Sequence, residues 1–221
     1  GVTSIGNFAF AFCSNVTSVS VPDSVTRIGQ GCFAQCANLT SIALPDDVTS
    51  IPMGSFTGCS SLVSISYSSK LESIGLMAFE DCVSLRSIDL PYGLTSIGYA
   101  AFMDCHSLTS ITLPESLSGL GGFMGEVFAN CTSLTSVTFP RSFTSTGFGT
   151  FGGCTSLVDV TIPDTITTIG ASTFSDCTSL TNITLPSSIT AIGEDAFSGC
   201  TSLTSFVIPN GVPSIGEDTF R

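Results

Sequence analysis

Basic residues are scarce in this chain: five Lys and Arg stand against 17 Asp and Glu, for a net charge of −12. That balance repels phosphate backbones and supplies no cationic groove, so nucleic acid and anionic membrane surfaces are poor partners. Histidine occurs once, at His106, which leaves no His-containing zinc motif. Although 43% of the residues are hydrophobic, no unbroken apolar run approaches the ~18 residues of a membrane span. Direct membrane insertion of this segment is therefore not expected, and the apolar side chains must instead be distributed as a pattern. A Walker loop, a nucleophile elbow and a calcium loop are also missing, so neither an enzyme nor a bound cofactor or metal is expected. The first residues, GVTSIGNFAF, carry no charged stretch ahead of an apolar one and fall in the middle of a repeat. The chain reads as a piece of a longer array, with any signal peptide, anchor or capping unit outside it.

What is present is a period. Cys13, Cys36, Cys59, Cys82 and Cys105 are spaced by 23 residues, as are Cys131, Cys154, Cys177 and Cys200. Phe precedes each of these cysteines by three, Pro recurs from Pro22 to Pro209 with Ser68 in the one gap, and an Ile-Gly pair recurs from Ile5 to Ile215. The consensus is CTSLTSITLPSSITSIGxxAFxxC. Self-similarity at such a period means stacked units that cannot bury their apolar edges alone.

One unit shows the logic. Leu180, Ile183 and Leu185 follow LxxLxL, and the final step of two puts Ile183 and Leu185 on one strand face with Asn182 and Thr184 on the other. Pro186 cannot donate to a ladder and ends the strand. Ser187 and Ser188 turn into a second β-prone segment, in which Ile189 and Ile192 point inward and Gly193 permits a sharp change of direction. Ala196, Phe197 and Cys200 are spaced i, i+1 and i+4, which predicts one turn of helix, with Glu194 and Asp195 at its positive end.

These residues carry a resemblance. The LxxLxL strand followed by an IPxSVTSIGxxAFxxC-like half is similar to the BspA-like leucine-rich repeat family, over essentially the whole chain. The resemblance implies a single domain over residues 1–221. Its fold would be α/β but β-rich, a right-handed leucine-rich-repeat solenoid or horseshoe of about nine 23-residue repeats with short strands and short helical turns. It also implies a non-enzymatic protein- or glycan-binding module, for adhesion or recognition, in a cell-surface or secreted protein. An intracellular scaffold for protein–protein interaction is the alternative. The sequence departs from the wider leucine-rich class at the position that often holds a buried Asn. Ser24, Asp47, Lys70, Gly93, Ser116, Ser142, Thr165, Ser188 and Gly211 stand there, so another partner must satisfy the backbone.

The cysteines read as buried free thiols, because stacked columns place their Cβ atoms ~5 Å apart and parallel, too far for a bridge. His106 beside Cys105 reads as a surface-turn residue, since a catalytic pair would need an exposed, stabilised thiolate. Acidic columns at Glu194, Asp195, Glu217 and Asp218, and at Asp81 and Asp104, offer oxygen ligands without a calcium-loop motif. The candidate binding face is the outward side of the strands. One column holds Ser64, Ser87, Ser110, Ser136, Asp159 and Asn182, and the other Ser66, Asp89, Thr112, Thr138, Thr161 and Thr184. Between Leu120 and Phe128 the chain takes eight steps where other units take five. The three-residue insertion lies near 121–125, with Phe123 and Met124 as candidate contacts.

Overall fold

The computed structural model describes residues 1–122 and 125–221. Phe123 and Met124, the candidate insertion contact, lie outside the described residues. Each LxxLxL segment supplies one side of a β-solenoid. Its strands are β1 (Ser18–Ser20), β2 (Ser41–Ala43) and β4 (Ser64–Ser66), then β7 (Ile111–Thr112), β8 (Ser136–Thr138) and β9 (Asp159–Thr161). The segment after the proline supplies a second side, with β3 (Ser50–Ile51), β5 (Ser73–Ile74) and β6 (Ser96–Ile97), then β10 (Thr168–Ile169) and β11 (Ala191–Ile192). Every pairing is parallel, and Val19 lies opposite Ile42 and Ile42 opposite Ile65, one repeat away. Across the insertion Ile111 lies opposite Val137, so the extra residues are absorbed without loss of inward and outward register. The prolines end the first strand and their carbonyls close the corner, as in Val48 N–H donating to Pro45 O at 3.0 Å.

The third side corrects the sequence reading. Among the described residues no helix forms, so the α component of the expected α/β class is absent there. The EDAFSGC-type segments are chains of tight turns with two left-handed residues, four apart, flanking each Phe. Examples are Gly31 and Gln35 around Phe33, Asp195 and Gly199 around Phe197, and Ala100 and Asp104 around Phe102. A left-handed residue interrupts helical propagation and turns its peptide groups outward along the stack. Three N–H groups per turn then donate to the next repeat: Gly31 to Met53 O, Phe33 to Ser55 O and Gln35 to Thr57 O, at 2.7–2.9 Å. The same triplet recurs down to Asp195, Phe197 and Gly199. Asp195 is therefore a turn former and not a charge at a helix terminus. The solenoid makes about eight turns, short of the nine repeats expected from the sequence. The last LxxLxL segment, 203–208, forms no strand and leaves Val207 80% exposed.

The core is built from columns. Phe10, Phe33, Phe56, Phe79, Phe102, Phe128, Phe151, Phe174, Phe197 and Phe220 stack with centroids 5.2–6.1 Å apart and planes within 17° of parallel. That spacing is the offset-stacked range for aromatic pairs. Leu39, Leu62, Leu85, Leu108, Leu134, Leu157 and Leu180 form a second fully buried column beside the first sheet.

Phe174→Ala removes a fully buried ring between two stacked neighbours and is expected to cost about 3–5 kcal/mol in urea unfolding. A loss below about 1 kcal/mol would be the size of a surface change and would contradict the column. Far-UV circular dichroism should show β structure without the paired minima of a helix.

Candidate functional site on the first sheet face

The strands of the first side show the burial pattern exposed–buried–exposed, as in β2, β8 and β9. All twelve residues of the two candidate columns, Ser64 to Asn182 and Ser66 to Thr184, are exposed. Ser87 and Asp89 keep this alternation around buried Ile88 although residues 87–89 form no strand.

A third exposed column, which the sequence reading passed over, runs beside them: Thr40, Val63, Arg86, Thr109, Thr135, Val158 and Thr181. Its signal was present in LxxLxL, where both residues between the first two leucines must leave the core. Three hydroxyls of this column are already used. Thr40 donates to Thr17 O at 3.2 Å, Thr109 to Arg86 O at 3.4 Å and Thr135 to Thr109 O at 3.3 Å. The second sheet does likewise, with Thr95 on Glu72 O and Thr190 on Thr167 O. By contrast, among the described residues no protein hydrogen bond engages the hydroxyls of Ser64, Ser87, Ser110, Ser136, Thr112, Thr138, Thr161 or Thr184. The two candidate columns therefore present free donors and acceptors at one-repeat intervals, with Asp89 and Asp159 adding negative charge.

At the far end of this face, the pairing after β9 narrows to a single bridge between Thr161 and Thr184. A cleft of about 400 Å³ opens there, lined by Asp159, Thr161, Asn182, Thr184 and Pro186. A second cleft of about 400 Å³ lies on the other sheet beside the insertion, lined by Thr95, Ser96, Ser118, Thr144 and Ser145. Nothing in the repeat pattern pointed to it, because it arises from the break in pairing between β6 and Ser145.

The thiols have a structural task beyond filling space. All ten cysteines are free, and all but half-buried Cys13 are buried. From Cys36 to Cys200, each column thiol donates to the carbonyl of the Phe one repeat back, as Cys59 does to Phe33 O at 3.1 Å and Cys154 to Phe128 O at 3.3 Å. That carbonyl also accepts the N–H of its own repeat's cysteine, Cys36 N to Phe33 O at 3.2 Å. Burial pushes the thiols up, Cys32 and Cys59 to about 12 and Cys200 to about 11, so thiolate nucleophiles do not form there. Cys105 points inward onto Phe79 O, while exposed His106 places Nδ1 2.9 Å from Asn130 O. The two share no site.

The missing Asn ladder is replaced in part by hydroxyls. Ser24, Ser116 and Ser188 donate to Val2 O, Leu94 O and Ile166 O of the preceding repeat, at 2.7, 2.5 and 2.8 Å. Thr165 Oγ1 is buried without a partner. Among the described residues no three His, Cys, Asp or Glu side chains assemble into a cluster that could hold a metal ion, and the acidic columns remain dispersed. Among the described residues no helix is long and apolar enough to cross a membrane.

This geometry can be set beside known proteins. The model of the BspA type leucine-rich repeat region matches residues 3–124 and 123–221. The chain belongs to that family. Among solved structures, a leucine-rich repeat protein of T. pallidum is 25% identical, covers 99% of this chain and 91% of its own, and superposes with a TM-score of 0.73. A leucine-rich repeat protein of Bacteroides ovatus is 28% identical over 97% of this chain and 78% of its own, with a TM-score of 0.56. A leucine-rich cell surface protein of Faecalibacterium prausnitzii is 29% identical over 92% of this chain and 68% of its own, with a TM-score of 0.52. No curated protein matches the chain.

The thiol column makes this BspA-type array sensitive to alkali. An unfolded cysteine releases its proton near pH 8.5. The folded thiols keep theirs to higher pH, so the unfolded state binds fewer protons and stability falls as pH rises above that value. Each buried thiol should contribute a loss of about 1.4 kcal/mol per pH unit above pH 8.5, and almost none below pH 8. Urea midpoints measured from pH 7 to pH 10 check this, and Cys82→Ser should lower the slope by one thiol's share while keeping a hydroxyl donor. A midpoint constant to pH 10 would contradict the thiol bookkeeping. In native protein, Ellman's reagent should label Cys13 rapidly and the buried column only after denaturation.

Proposed function

We propose that this chain is a non-enzymatic recognition module of a cell-surface or secreted protein, binding a protein or glycan partner through the first sheet face. The observation that carries the reading is the contrast in hydroxyl use. Thr40, Thr95, Thr109, Thr135, Thr167 and Thr190 are tied to backbone carbonyls of the preceding repeat, whereas the two candidate columns keep their hydroxyls free along a rigid, one-repeat spacing. Fixed elements that present polar groups without ordering cost favour binding. The acidic character given by Asp89 and Asp159 favours a neutral or basic partner over an anionic one. The Faecalibacterium relative described as a cell surface protein supports the location, and solenoids of this kind commonly bind along an extended sheet surface. Leucine-rich repeat folds are generally non-enzymatic, and among the described residues Cys105 and His106, the one Cys-His pair adjacent in sequence, share no site. Adhesion is the cellular role that such a face would serve.

An intracellular scaffold using the same face is the second reading. It is favoured by ten cysteines without one disulfide. The thiol-to-carbonyl column accounts for that state in either compartment.

The direct test replaces Asp89, Thr112 and Thr138 by Lys and measures attachment to immobilised surface proteins and glycans. All three side chains are exposed, so folding should be retained. Attachment is expected to fall by about tenfold or more, equivalent to about 1.4 kcal/mol. Unchanged attachment by the folded variant would remove this face from consideration.

A further inference from the structure

Four of the six asparagines, Asn15, Asn38, Asn130 and Asn182, are followed two residues later by threonine, with Val, Leu, Cys and Ile between. This is the Asn-x-Thr acceptor pattern for N-linked glycan. The solenoid sorts the four triplets into two kinds.

Asn15 and Asn38 occupy the same column, in the turns that lead into β1 and β2. Both are exposed, as are Thr17 and Thr40. Asn182 is exposed on the first sheet face with Thr184, and its amide makes only a long 3.5 Å contact to the neighbouring Thr181 hydroxyl. These three amides stand clear of the fold. Asn130 does not. It is a left-handed turn residue with φ of 58°, and its Nδ2 donates to Asp104 Oδ1 at 2.9 Å. Its Oδ1 packs so closely on the next repeat that a Cβ at Gly153 would meet it at 2.2 Å. A sugar on that nitrogen would have to fit between Asp104 and the neighbouring turn, which are already in contact with this side chain.

We propose that Asn182 and the Asn15/Asn38 pair are N-glycan acceptor sites and that Asn130, despite its triplet, is not one in the folded protein. The proposal rests on the cell-surface or secreted reading, since the transfer needs an oligosaccharyltransferase and a lipid-pyrophosphate-linked oligosaccharide. In that step the asparagine Nδ2 forms a bond to C1 of the first sugar. The bond from C1 to the pyrophosphate oxygen breaks, the lipid pyrophosphate leaves with the electron pair, and the amide proton passes to a base of the transferase. Asn15 and Asn38 lie one repeat apart, ~4.8 Å by strand spacing, so one glycan on either residue suffices to fill that column. A glycan on Asn182 would cover the cleft beside Asp159 and Thr161, leaving the stretch from Ser64 to Thr138 as the open part of the face.

The test is expression of the chain behind a secretion leader in a eukaryotic cell, with glycopeptide mapping by mass before and after amidase release. Translation with endoplasmic-reticulum microsomes serves if secretion fails. Glycan is expected at Asn182 and on at least one of Asn15 and Asn38, with Asn130 bare in the folded fraction. Asn182→Gln should remove one glycan's mass, and Asn130→Gln none. A chain without glycan at Asn182, or a folded chain carrying glycan on Asn130, would overturn the proposal. Attachment of unglycosylated chain to the surface panel reports on the sheet face alone, so failure there and failure here are separable.

Discussion

The structure depends on one constraint: each residue must lie over its counterpart one repeat away and bond to it along the stack. The three N–H groups around every Phe meet carbonyls 22 residues later in the chain, or 25 at the crossing from Ala100 to Gly125. The sheets on the other two sides obey the same translation through parallel registers. No turn can tilt or slip without breaking bonds on all three sides, which is why a spacing of 23 residues persists through a sequence that otherwise varies freely at its surface.

The turn side shows how local conformation serves that constraint. A helix would satisfy its own N–H groups internally and leave nothing to offer the next repeat. Left-handed residues on either side of the Phe release those groups along the axis. Glycine supplies this at Gly54, Gly58, Gly149 and Gly153, and Asp or Asn supplies it at Asp81, Asp104, Asn130 and Asp176. Gly, Asp and Asn are the residue types for which left-handed geometry costs least, while Gln35, Met77, Ala100, Glu126 and Ser172 are held in it at the same positions. The same turns fix the cysteine, whose thiol completes the coordination of the Phe carbonyl behind it. Ring stack, backbone rungs and thiol column thus converge on one peptide group per repeat.

Function follows from what this regularity leaves over. The hydroxyls of Thr95, Thr167 and Thr190 beside the second sheet, and of Thr40, Thr109 and Thr135 beside the first, cap carbonyls of their neighbours and add to cohesion between turns. The Ser64–Asn182 and Ser66–Thr184 columns sit on the outer side of the strand pleat and are exposed, so their polar groups face solvent. A rigid scaffold with an unspent polar surface is suited to recognition, and membership of the BspA type family is consistent with that role. The insertion near 121–125 breaks the second sheet but not the first, so the candidate face stays continuous in register from β7 to β8.

Much of this was legible in the chain itself. The period, the inward leucines and phenylalanines, the proline corners, the outward serine and threonine columns and the free thiols all follow from residue type and spacing, because translation-related repeats bury what recurs as apolar. The helical turn did not follow. The i, i+1, i+4 spacing of Ala196, Phe197 and Cys200 fits a helix as well as a tight turn, and only the recurrence of Gly, Asp and Asn on either side of the Phe hinted otherwise. Which hydroxyls are spent and which remain free was likewise decided by the stack. A threonine reads the same in every column until its neighbour's carbonyl is either within reach or across the pleat. Sequence by itself determined the solenoid and its core; tertiary structure alone decided the path of the third side and the chemistry of the exposed face, since both depend on contacts between residues a full repeat apart.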